Sequence, residues 1–179
     1  MDTLKPTQEQ VLFPLEGYVW SNIVIVIDLW QYNMTSGEFT MVKTNGHTYY
    51  IGSATRGVGT PDTFLDYRRG FGLVYHSKLN SLFVFGGERG GNRNDVWRFN
   101  FSTNLWIWVA GNRTVNEEGR YEVLGQESPL NYPAPRQGHS MVYDPKTTLI
   151  YTFGGKGGTS NQYLNDLWAF NATSLHGPG

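Results

Sequence analysis

The sequence predicts an all-β chain assembled from a repeated unit of four short antiparallel strands. Three observations carry that expectation. The tripeptide Asp-hydrophobe-Trp occurs three times, at Asp28-Leu29-Trp30, Asp95-Val96-Trp97 and Asp166-Leu167-Trp168. The flanking residues recur with it: Arg136-Gln137-Gly138-His139-Ser140-Met141-Val142-Tyr143 matches Arg68-Arg69-Gly70-Phe71-Gly72-Leu73-Val74-Tyr75, and Tyr151-Thr152-Phe153-Gly154-Gly155 matches Phe83-Val84-Phe85-Gly86-Gly87. Each matched block is short, rich in β-branched and aromatic residues, and bounded by turn formers, which is the signature of a strand. Repetition at this length signals stacked or radially arranged modules that share one core.

The elements follow in chain order. Residues 1–22 form an N-terminal segment with no assignable element. Residues 23–46 hold a partial unit, its last two strands, because no Gly-Gly precedes Asp28 and Ile27 stands where the other units have Asn94 and Asn165. Residues 68–110 make a complete unit: strands over Leu73 to Tyr75, Leu82 to Phe85, Val96 to Phe99 and, as the outer strand, Trp106 to Val109. Residues 136–171 repeat the first three strands over Met141 to Tyr143, Leu149 to Phe153 and Leu167 to Phe170. Asp144-Pro145-Lys146 reads as a turn, since Pro presets φ and Asp bonds nearby amides. The doubled glycines end a strand where backbone must pass closely or take positive φ. Residues 47–67 and 111–135 are long connections between units.

The order Arg-x-Gly-His-Ser, hydrophobic strand, Gly-Gly, Asn-Asp-Leu-Trp-x-Phe, then a Trp-containing strand, resembles the kelch repeat from about Ile23 to Asn171. The long arm after the fourth strand resembles an extended variant of that repeat. The resemblance implies a β-propeller with four-stranded blades, of which about two to two and a half are present. Propellers need about four to eight blades to close. The chain is therefore expected to belong to a larger propeller, completed by further sequence or by oligomerisation, and no cap is visible in Met1 to Trp20.

Composition agrees with strands and tight turns: aromatics make up 15% and glycines number 22. The net charge of −1 leaves no electrostatic footprint for nucleic acid. The absence of cysteine excludes thiolate metal sites and Cys nucleophiles and is compatible with the cytosol without establishing it. No signal peptide or apolar run of membrane-spanning length is visible, so localisation stays open. Sequons occur at Asn33, Asn100, Asn112 and Asn171. Three of them share one repeat position, which a turn favouring Asn followed by Ser or Thr explains without sugar.

Candidate chemistry is sparse. His47, His76, His139 and His176 are scattered, and His139 falls within a strand motif where packing is the expected role. Gly86 to Asn92 is glycine-rich but leads from strand to strand, with no helix N-terminus to hold a phosphate. Asp95, Asp166, Trp97 and Trp168 repeat and are read as structural. No catalytic, cofactor or metal-binding residue is assigned, and the chain is not expected to be an enzyme. The expected role is a protein-binding module, with a protein partner. Arg68 and Arg136 match a position that, by the resemblance, can hold acidic peptide groups; arginine suits this because its fork is bidentate to carboxylates. The competing role for both is bonding carbonyls within the blade. The alternative function is a sugar- or metabolite-processing enzyme on a galactose oxidase-like propeller. The copper centre of that fold uses a cysteine-crosslinked tyrosine, which this chain cannot form.

The long connections Lys43 to Tyr67 and Ala110 to Pro135 are the expected recognition elements, because binding residues concentrate on loops held by a rigid scaffold. Their candidate contacts are Arg56, Asp62, Arg113 and Arg120, with Tyr50 and Tyr121 as packing anchors at matched positions. An open arc of blades leaves strand edges and apolar faces uncovered. The isolated chain should therefore self-associate: light scattering should show oligomers at moderate salt, and a sharp monomer with a cooperative melt would show the arc to be self-sufficient.

Overall fold

The computed structural model describes residues 10–19, 24–44 and 54–173, with side chains from residue 28 onward. Within these residues the chain is all-β. Its antiparallel sheets have three or four strands and stack as the blades of a propeller that does not close. The helical content is a single 3-10 turn at Ser77–Leu79, and no helix among the described residues is long and apolar enough to cross a membrane.

The first unit contains β1 (Gln10–Val19), β2 (Val24–Asn33) and β3 (Glu38–Lys43), in the order β1-β2-β3. β2 and β3 fall within the expected partial unit. β1 lies in the segment for which the sequence carried no assignment, because it lacks the glycine pair that marks the equivalent strand elsewhere. The second unit is β4 (Gly72–His76), β5 (Ser81–Phe85), β6 (Val96–Asn100) and β7 (Leu105–Ala110), hydrogen-bonded in sequence order. A small three-stranded extension begins with β8 (Arg136–Gln137), ahead of β9 (Ser140–Tyr143) and β10 (Leu149–Phe153). β11 (Lys156–Gly157) pairs with both β8 and β12 (Gln162–Tyr163) in a small sheet that the sequence pattern did not indicate. β13 (Leu167–Asn171) completes the third unit, ordered β13-β10-β9.

The turns form as their residues dictate. Asp144 Oδ1 accepts from the Lys146 amide at 2.9 Å and Asp144 Oδ2 from Thr147 Oγ1 at 2.7 Å, closing the β9–β10 hairpin. The sequon asparagines act as turn residues: Asn33, Asn100, Asn112 and Asn171 each accept through Oδ1 from the amide two residues on. The pairing register shifts between Leu29 and Trp30 and again between Val96 and Trp97. A bulge is thus part of the repeated Asp-hydrophobe-Trp element, where it raises the local strand twist.

All five residues of β5 are buried, because a neighbouring unit covers each face of this sheet and the usual inside-outside alternation disappears. On one face Leu82, Val84, Trp97, Phe99 and Trp106 pack with Leu29 and Val42 of the first unit. On the other, Phe83, Phe85 and Val96 pack with Ile150, Met141, Tyr143 and Phe170 of the third. Phe99 sits at the centre of the first cluster, with ring centroids 5.1 Å from Phe101 and 5.2 Å from Trp106. Phe99→Ala should destabilise by about 3–5 kcal/mol, since lost burial and an unfilled cavity add. Urea denaturation followed by tryptophan fluorescence measures this, and a loss below about 1 kcal/mol would mean that the neighbouring unit relaxes into the gap.

Candidate functional site

The second and third units each carry a buried arginine just ahead of the strand that opens the unit, and the structure shows what it holds. In the second unit Arg68 Nη1 donates to Gly86 O (3.0 Å) and Asp95 Oδ1 (2.5 Å), while Nη2 donates to Asp95 Oδ2 (2.8 Å). In the third unit Arg136 Nη1 donates to Gly154 O (3.0 Å) and Asp166 Oδ1 (2.6 Å), and Nη2 to Asp166 Oδ2 (2.8 Å). The same carboxylates accept the indole N–H two residues on, from Trp97 at 2.6 Å and Trp168 at 2.7 Å. One guanidinium thus ties together the segment that leads into the first strand, the glycine pair ending the second and the Asp-x-Trp opening the third. Both arginine side chains have no solvent exposure. Their donors are spent inside the blade, in the structural role weighed for them, and neither guanidinium is presented to a partner.

Electrostatics agree. Burial alone would raise the pKa of Asp166, but the bonds from Arg136 and Trp168 outweigh it and hold the carboxyl at about 2. Burial alone would also ease deprotonation of Arg68, yet Asp95 and Asp66 push its pKa further up. The second unit adds Asp66, where the third has Ala134. Asp66 pairs with Arg68 and, at 2.9 Å, with Arg93. Its burial would raise its pKa, but Arg68 and Arg93 bring it below the usual carboxylate value.

The described histidines serve packing. His76 Nδ1 accepts from the Leu79 amide, and its ring lies 4.2 Å from that of Tyr143 across the unit boundary. His139 packs edge-on to Phe85 at 5.0 Å, against the neighbouring unit rather than within its own. Gly72 makes room for it: a Cβ there would lie 2.6 Å from His139 Nε2. His47 and His176 lie outside the described residues. Among the described residues no three His, Asp or Glu side chains gather closely enough to hold a metal ion.

The connection over 111–135 is a clasp that ends in an exposed tip. Its first part is tied to the second unit: Arg93 Nη1 donates to Arg113 O (2.9 Å), Asn94 Oδ1 accepts from the Asn112 amide (3.1 Å), and the Arg113 guanidinium lies 5.7 Å from the Trp97 ring. Its later part reaches the third unit, where Tyr121 stacks at 5.2 Å on Trp168 and donates to Asp166 Oδ2 at 3.1 Å. Arg113 is therefore a clasp residue, and Tyr121 is the packing anchor expected; Tyr50, its counterpart, lies outside the described residues, as does Tyr49. Arg120 is exposed, paired with Glu122 at 2.9 Å. Arg56 is also exposed, its Nε donating to Val109 O (3.4 Å) beside Trp108. Asp62 is exposed on the other long connection. Arg56, Asp62, Arg113 and Arg120 thus do not converge on one site.

A feature that charge-based reasoning missed lies between Arg120 and Tyr132. These two exchange backbone bonds at 2.8 and 3.1 Å, and Asn131 braces the interior by accepting from the Glu122 amide and donating to Gln126 O. The loop so held presents Leu124 at 99% exposure, with Val123 and Leu130 also exposed. The visible signal was an apolar pair, Val123-Leu124, inside an otherwise polar connection.

Fold and repeated lock together define an all-β chain of stacked antiparallel propeller blades. No family model matches the chain. It is similar to the host cell factor homolog hcf-1 of Caenorhabditis elegans, at 32% identity over 117 residues, covering 60% of this chain. It is also similar to Mei4-dependent protein 6 of Schizosaccharomyces pombe, at 26% identity over 111 residues, covering 58% of this chain. The matched region spans 13% of the length of each of these relatives.

His139 makes stability pH-dependent. Burial, reinforced by Arg136, lowers its folded pKa to about 4 from the ordinary 6.5. The unfolded chain therefore takes up this proton first as pH falls. Stability is full above pH 6.5 and declines between there and about 4, by up to about 3 kcal/mol. Denaturant melts across that range should show the decline. His139→Phe, which installs the ring the preceding repeat carries as Phe71, should flatten it, and an unchanged slope would assign the effect to His76.

Proposed function

We propose that the chain is a non-enzymatic protein-binding module of kelch type, whose recognition element is the braced tip between Arg120 and Tyr132. The carrying observation is the exposure of Val123, Leu124 and Leu130 on a loop whose base and interior are hydrogen-bonded within the loop itself. Apolar side chains held out by a preorganised loop lose little conformational entropy on docking, which is what favours an anchor for a protein groove. Glu122 and Glu127 flank them, so a groove with a basic rim is the complementary partner surface. The similarity to a host cell factor homolog supports the same role for a module within a longer protein. Arg56 and Asp62, exposed elsewhere on the connections, and Arg120 at the base of the tip provide secondary polar contacts at most.

The test is retention of cellular proteins on the immobilised chain, read by quantitative mass spectrometry. Leu124→Ser combined with Leu130→Ser should reduce partner retention at least tenfold, the loss of one strong anchor, with the melting temperature unchanged. Arg56→Ala, Asp62→Ala and Arg120→Ala should each reduce it less. Retention indifferent to the leucine pair would place recognition elsewhere.

A further inference from the structure

We propose that Ser128 is a phosphate acceptor for a proline-directed serine kinase, a modification site that stands whether or not the tip docks on a partner. A hydroxyl residue directly precedes proline at Thr60-Pro61 and Ser128-Pro129 alone. Proline there acts in two ways. It biases the residue ahead of it to extended backbone, and it brings no N–H. A kinase cleft that offers no acceptor at the following position therefore takes proline and rejects other residues, whose amide would be buried unpaired.

The structure separates the two sites. Thr60 Oγ1 lies 2.9 Å from Thr63 Oγ1, and the Thr60 amide donates to the same oxygen at 3.1 Å. Thr63 is buried, so transfer to Thr60 would break a pair anchored in the fold. Ser128 is placed differently. Its Oγ accepts from the Leu130 amide at 3.2 Å, and its hydroxyl hydrogen has no acceptor among the described residues. Threonines at other turns spend that hydrogen locally: Thr114 on Asn112 Oδ1, Thr147 on Asp144 Oδ2 and Thr173 on Asn171 Oδ1. Glu127 and Pro129, on either side of Ser128, are exposed. The Glu127 and Ser128 amides make no backbone hydrogen bond among the described residues. This stretch is thus open to a cleft that grips extended chain, while Asn131 holds the loop through Gln126 O and the Glu122 amide.

In the transfer the Ser128 oxygen bonds to the γ-phosphorus of ATP as the bond to the departing ADP breaks, and the hydroxyl proton passes to a carboxylate of the kinase. The product fits the turn. The Asn131 amide already donates to Ser128 O at 3.1 Å, and the Leu130 amide already reaches Oγ. A phosphate oxygen on Ser128 accepts the Leu130 N–H as a stronger, charge-assisted bond.

The full chain is incubated with magnesium ATP and a purified mitogen-activated kinase, and incorporation is located by fragment mass spectrometry. A single phosphate is expected, on Ser128. Ser128→Ala should abolish it. Pro129→Ala should slow it about tenfold or more, through the lost extended geometry and the added amide. Both variants should melt as the wild type does, since both positions lie on the tip. Leu124→Ser should leave the rate unchanged, so failure of the tip as an anchor reads separately from failure of Ser128 as an acceptor. Absence of incorporation, phosphate on Thr60 of the folded chain, or incorporation that survives Ser128→Ala overturns the proposal. So does acceptance by Ser128 only in heat-denatured chain, since the folded loop would then withhold it.

Discussion

The bidentate pair between a buried arginine and the aspartate of Asp-x-Trp is the interaction on which each complete blade depends. Two charges removed from water cost several kcal/mol each unless geometry and further hydrogen bonds compensate. Here the guanidinium takes both carboxylate oxygens, and Oδ2 accepts the indole N–H as well. The guanidinium also takes the carbonyl of the first glycine, which fixes where the second strand ends. Its worth is less in net energy than in specificity, because any other register leaves a buried charge unmatched.

The positive φ of the glycine pair belongs to the same design. Gly87 and Gly155 have φ of 95° and 93°, and the N–H of Gly87 turns outward to reach Arg136 O of the next unit. A side chain at either residue would meet strain in that conformation. The residues that lock a blade internally and the residues that join it to its neighbour are therefore adjacent in sequence, and blade formation and blade stacking are coupled through a few backbone atoms.

Much of this was legible beforehand. The strands of the second and third units fall where alternation and turn chemistry placed them, because repeated residues such as Asp95 and Asp166 face repeated environments. β1 was not legible: nothing in Gln10 to Val19 repeats a marker residue, although it pairs with β2 as a local hairpin. The short β8, β11 and β12 are two-residue pairings set by tertiary contact, below the length at which periodicity speaks. For Arg68 and Arg136, residue type alone could not separate a carboxylate inside the blade from one on a partner. Leu124 escaped notice because charged and aromatic residues drew attention on that loop, whereas its importance comes from exposure, which a sequence does not display.

The hydrogen-bonded base of the tip has an evolutionary corollary. Once Arg120 and Tyr132 are tied, the scaffold no longer senses how many residues lie between them, since lengthening a closed loop costs only about 0.6 kcal/mol per doubling. The segment from Val123 to Leu130 can therefore vary in length and composition almost independently of the blades, while Arg113 and Tyr121, both ahead of it, hold the clasp.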